Sequence, residues 1–76
     1  MLMTTHDLKQ KLDELEVDPT FYSLEGKVLN DRMVLYQSLR GWNVFYCDET
    51  GLIMNEKFFH TETDACVYLH NYFRIR

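Results

Sequence analysis

A chain of 76 residues has room for one hydrophobic core and no second domain, so residues 1–76 are read as a single unit. Eight basic against twelve acidic residues give a net charge of −4, which argues against direct nucleic-acid binding, where a basic stripe supplies most of the affinity. The apolar share of 46 % and the charged share of 26 % exclude a disordered chain, and no apolar run is long enough to span a membrane.

Thr4 or Thr5 is placed to cap a first helix, with Asp7 near the positive end of its dipole. Leu8, Leu12 and Leu15 follow at helical spacing and form one apolar stripe, while Lys9, Gln10, Lys11, Asp13, Glu14 and Glu16 fill the other face. The spacing predicts a helix near 5–16, stopped by Asp18-Pro19 because the residue before proline is driven out of the α region. Phe21, Tyr22 and Leu24 then form either a short edge strand or a plug dropped into the core from a loop. Glu25-Gly26 and Asn30-Asp31 mark turns.

The aliphatic and aromatic residues Met33, Val34, Leu35 and Tyr36 predict a strand over 32–39, and Arg40-Gly41 reverses the chain. Trp42-Asn43-Val44-Phe45-Tyr46-Cys47 is rich in residues that suit a pleated, half-buried surface. Asp48-Glu49-Thr50-Gly51 is a turn, and 52–59 resumes an extended pattern. Thr61 caps a last helix with Asp64 three residues on. Its wide apolar face carries Ala65, Cys66, Leu69, Tyr72 and Phe73, with Arg74 and Arg76 at the end that favours positive charge. The expected fold class is α+β: a three-stranded antiparallel β-meander flanked by an N-terminal and a C-terminal helix, in the order α-β-β-β-α.

Chemistry-bearing residues are sparse. Cys66 and His70 share a helix face and His60 precedes the cap, but a structural zinc site needs four ligands with short paired spacings, and no metal is expected. Cys47, the one thiol in the hairpin, stands in an aromatic strand, which does not favour a Cys–His pair with His6, His60 or His70. Two cysteines are too few for a disulfide framework. Ser23 and Ser38 lack an elbow motif, and Gly26, Gly41 and Gly51 are isolated turn residues and form no phosphate loop. The carboxylates of the first helix and of the hairpin turn lie on surfaces with no cleft to perturb them, so neither catalysis nor a cofactor is expected. Met1-Leu2-Met3 runs directly into polar residues, with no apolar stretch of a secretory leader, which predicts a cytoplasmic, reduced protein. What remains is protein recognition. Tyr22, Tyr36, Tyr46, Tyr68 and Tyr72 cannot all fit inside so small a core, and exposed tyrosine is common at interfaces.

Three segments occur in one order with short spacers: Tyr22-Ser23-Leu24-Glu25-Gly26, Trp42-Asn43-Val44-Phe45-Tyr46, and Thr61-Glu62-Thr63-Asp64-Ala65-Cys66-Val67-Tyr68-Leu69. Together they resemble the small immunity-protein families of bacterial polymorphic toxin and contact-dependent growth inhibition systems. There a "YSLxG" segment precedes a "WxVYY" strand and a "TExEACxYL" helix. The turn departs, with Asp48-Glu49-Thr50-Gly51 where such relatives often carry Glu-Arg-Gly. The resemblance implies a protein that is not an enzyme and that occludes a cognate toxin, often a nuclease with a basic cleft. An acidic surface is suited to such a cleft. Two contact surfaces are expected: Asp13, Glu14, Glu16 and Asp18 on and after the first helix, and Asp48 and Glu49 at the hairpin tip with Tyr46 and Glu56 beside them. The alternatives are a small acidic regulator, phage inhibitor or DNA mimic acting on another enzyme, and a homodimeric adaptor pairing through an exposed strand edge. Monomer and homodimer both remain open.

Overall fold

The computed structural model describes residues 2–75. Its order is helix α1 (Thr5–Glu14), a 3-10 turn (Pro19–Phe21), strands β1 (Tyr22–Ser23), β2 (Arg32–Gln37), β3 (Trp42–Cys47) and β4 (Ile53–Phe59), and helix α2 (Glu62–Arg74). The class is α+β, with one four-stranded sheet in the order β1-β2-β3-β4.

The antiparallel meander β2–β3–β4 is present, but the expectation of three strands needs correction. Tyr22 and Ser23 add a fourth strand, parallel to β2 and in register with Met33 and Val34. The Gly26 N–H continues this edge by donating to the Leu35 carbonyl at 3.1 Å. Both readings of this stretch hold at once, because Tyr22 pairs with β2 and is also buried in the main core.

Alternation along β2 and β3 gives the sheet two unlike faces. Met33, Leu35 and Val44 point toward the helices and pack with Leu8, Leu12, Ala65, Cys66, Leu69 and Phe73. Val34, Phe45 and Cys47 form a separate small cluster on the other face. Segment 24–31, which returns the chain from β1 to β2, is tied to that second face through Asn30. Its Oδ1 accepts from Cys47 Sγ at 3.6 Å, and its Nδ2 donates to the Glu49 carbonyl at 3.2 Å.

α1 starts with a reciprocal capping box that the sequence reading assigned only in part. Thr4 Oγ1 accepts from the Asp7 N–H at 3.2 Å, and the Asp7 carboxylate accepts from the Thr4 N–H at 3.1 Å. The helix ends at Glu14, two residues earlier than expected, and proline is not what stops it. Glu16 takes a left-handed conformation (φ 60°). Its N–H donates to Asp13 and the Val17 N–H donates to Leu12, a Schellman ending built on a non-glycine residue. Asp18 instead caps the 3-10 turn through the Thr20 N–H.

The two helices meet at their N-termini. Thr63 Oγ1 accepts from the Met3 N–H at 3.0 Å, and the Glu62 carboxylate accepts from the Thr5 N–H at 3.0 Å, satisfying one of the donors a helix start leaves orphaned.

Candidate functional site: the hairpin tip and its tyrosine groove

The tip is ordered by one carboxylate. Asp48 Oδ1 accepts from the Thr50 N–H at 2.8 Å, from Thr50 Oγ1 at 2.7 Å and from the Leu52 N–H at 2.9 Å. These bonds, led by the Thr50 hydroxyl, hold the Asp48 carboxyl below the usual carboxylate range. The Gly51 N–H closes the turn on the Asp48 carbonyl at 3.1 Å, with Gly51 itself at φ 90°. Asp48 therefore shapes the tip, and Glu49 is the carboxylate left projecting from it.

Beside the tip, between β2–β4 and α2, lies a groove of about 350 Å³ lined by Met33, Tyr46, Asn55, Lys57, Tyr68 and Tyr72. A second hollow of about 330 Å³ shares Met33, Tyr46 and Tyr72 with it and adds Phe21, Asp31 and Arg32. Tyr46 is the residue common to tip and groove. Burial raises its pKa, and the charges of Asp31, Asp48 and Glu49, with Tyr72, act in the same direction. Its phenol accordingly stays protonated at neutral pH and keeps a donor to offer. On the far wall a bulge between Val44 and Tyr46 shifts the β4 register, with Asn55 in the left-handed region (φ 56°).

The eight residues expected at contact surfaces fall into three groups. Tyr46, Asp48 and Glu49 come together at the tip. Glu56 sits on exposed β4 next to the bulge. Asp13, Glu14, Glu16 and Asp18 belong to α1 and its exit, and α1 packs against α2. Three of these acids have local work: Asp13 pairs with Lys9 at 3.6 Å, Glu16 ends the helix, and Asp18 caps the following turn. Glu14, Glu49 and Glu56 have no ion-pair partner among the described residues. The sequence reading offered Tyr68 and Tyr72 only among five tyrosines open to an interface, and did not single out Asp31, which lines the second hollow. The +4 spacing of Tyr68 and Tyr72 on one helix face was the available signal.

The thiols and imidazoles stand apart from this site. Cys47 is fully buried and faces Asn30. Cys66 is fully buried, and burial first, then the charges of Glu62 and Asp7, push its thiol up to about 12. His6 lies against Gln10, and His60 against the Phe58 ring. Among the described residues no three His, Cys, Asp or Glu side chains gather as a metal set, and no helix is long and apolar enough to cross a membrane. No family model, curated protein or solved structure matches the chain.

Proposed function

We propose that this protein is a non-catalytic binding protein that neutralises a cognate toxin by covering a basic active-site cleft, such as that of a nuclease. The supporting observation is the juxtaposition at the tip: a groove walled by three tyrosines beside Glu49 and Asp31, neither of which has an ion-pair partner among the described residues. Tyrosine supplies large rigid contact area with a polar end, and unpaired carboxylates supply attraction to a basic surface and faster encounter. The test is co-expression with the adjacent gene. Toxicity of the neighbour alone, relieved by this protein, is the expected result. A harmless neighbour, or one that stays lethal in its presence, removes the reading.

One observation favours a homodimer as the second reading. β4 has a bare outer edge and carries exposed Ile53, Met54 and Phe58. The bulge at Asn55 and the charge of Lys57 are devices that discourage strand addition, which is why toxin binding is preferred. Sedimentation separates the two readings, since a strict monomer leaves no place for pairing along β4.

A further inference from the structure

A cavity of about 400 Å³ opens at the other end of β3 from the tip. Leu24, Glu25, Tyr36, Trp42 and Glu62 are among its walls, and no Lys, Arg or His is found among its described lining residues. Glu25 has no hydrogen bond or ion pair among the described residues. Glu62 Oε2 accepts from the Thr5 N–H at 3.0 Å.

Both helices begin beside this cavity, and each helix start carries roughly half a positive charge. Thr5 and Glu62, the first residues of the two helices, line it, and the Glu62 carboxylate sets one full negative charge against that. Glu25 adds a second full negative charge and leaves the lining net negative. Trp42, part-buried against the main core, offers the ring type that attracts a cation most strongly. The Tyr36 ring closes in on the backbone at Gly26, where an added Cβ would lie 3.7 Å from Cδ2. A cavity with aromatic walls, an unpaired carboxylate and no competing cation among its described lining residues selects an organic cation. A guanidinium fits best, because it is planar, stacks on a ring and forks to a carboxylate at the same time.

We propose that this cavity receives the guanidinium of an arginine side chain carried by the protein partner, stacked on Trp42 and paired with Glu25. The source of the arginine rests on the toxin-binding reading; the chemistry of the pocket does not.

Trp42 is the protein's one tryptophan, so its emission reports this site directly. The probes are N-acetyl-arginine amide, N-acetyl-norleucine amide and spermidine, each titrated at matched ionic strength. The arginine probe is expected to give a saturable change in emission and in the indole N–H resonance, and the neutral norleucine probe none. Glu25→Gln is expected to weaken the arginine response about 5-fold with an unchanged melting temperature, because the Glu25 side chain is exposed and makes no bond among the described residues. No saturable response to arginine, or equal affinity in Glu25→Gln, overturns the pocket. Spermidine binding tighter than arginine overturns the side-chain source. In co-expression, a Glu25→Gln variant that loses the arginine response yet protects the cell fully takes the pocket out of the toxin interface while leaving neutralisation standing. A wild-type protein that answers arginine but protects against no neighbour does the reverse.

Discussion

β3 has two ends that were built by different means. At the Trp42 end the reversal from β2 is held by backbone, with the Ser38 N–H donating to the Gly41 carbonyl at 2.7 Å, and the chain passes hard against β4. A Cβ at Gly41 would run into the Phe59 carbonyl and lie 3.0 Å from the Phe58 ring. At the Cys47 end the Asp48 carboxylate adds three bonds to the backbone ones, and a Cβ on Gly51 would meet nothing within 4 Å. The first end is a packed joint that tolerates no added atom. The second is an exposed loop whose shape depends on one ionised group, which suits a surface meant to touch something else.

Substitution at the two glycines gives the largest measurable contrast. Gly41→Ala forces the β3–β4 ladder apart at Trp42–Phe59 and is expected to cost about 3 kcal/mol in chemical denaturation, as overpacking of a filled site does. Gly51→Ala meets only the backbone penalty of a left-handed L-residue, about 1–2 kcal/mol. Equal losses at the two positions would mean that the ends are not built differently.

Acid sharpens the contrast further. Asp48→Ala removes three hydrogen bonds to a charged acceptor and is expected to lower the melting temperature near neutral pH, by less than Gly41→Ala does. Asp7, Asp18 and Asp48 all have carboxyls lowered from 3.8, chiefly by local N–H and hydroxyl donors. A lowered carboxyl stabilises the fold fully above its unfolded value and loses that contribution as pH falls through the folded one. His70 is also lowered, by burial first, so its share is present above 6.5 and declines as the imidazole is forced to protonate. The melting temperature should therefore drift down below about pH 6.5 and fall more steeply below about pH 4. Asp48→Ala should narrow its gap to the parent protein across that lower range, whereas Gly41→Ala should keep its gap.

How much of this was legible in the sequence follows from the range of the interactions. The β3 run, the Asp48–Gly51 turn and the Thr61 cap rest on neighbours within a few residues, and their residue types announce them. β1 could not be read in the same way, because a parallel pair normally needs a long crossover and here only segment 24–31 separates the two strands. The early end of α1 was hidden because Glu16 holds a position where glycine is the usual signal. The tyrosine groove depends on the contact of α2 with β3 and β4, and Tyr46 meets the tyrosines of α2 across more than twenty residues, a relation that no local pattern encodes. The helical spacing of Tyr68 and Tyr72 indicated a shared face and left open what that face would meet.

Glu16 supplies a stabilising counterpart to Gly51, with the opposite sign. Glu16→Gly relieves the left-handed backbone that ends α1, and is expected to stabilise the protein by up to about 1 kcal/mol. It also removes one of the acids expected to face a partner, so it separates two roles that α1 combines. A more stable protein with unchanged toxin protection would show that Glu16 is there to end a helix.

The smallest stability effect belongs to Glu49, on the exposed end of β3. Its side chain is exposed and makes no bond among the described residues, so Glu49→Lys should leave the stability within about 0.5 kcal/mol of the parent. Binding to a basic partner should nevertheless weaken, mostly through a slower association rate that responds to salt, because a fringe charge steers encounter more than it holds a complex. Association measured at low and high ionic strength distinguishes this from a folding defect. A parent and variant that associate equally fast at low salt would remove the tip from the interface.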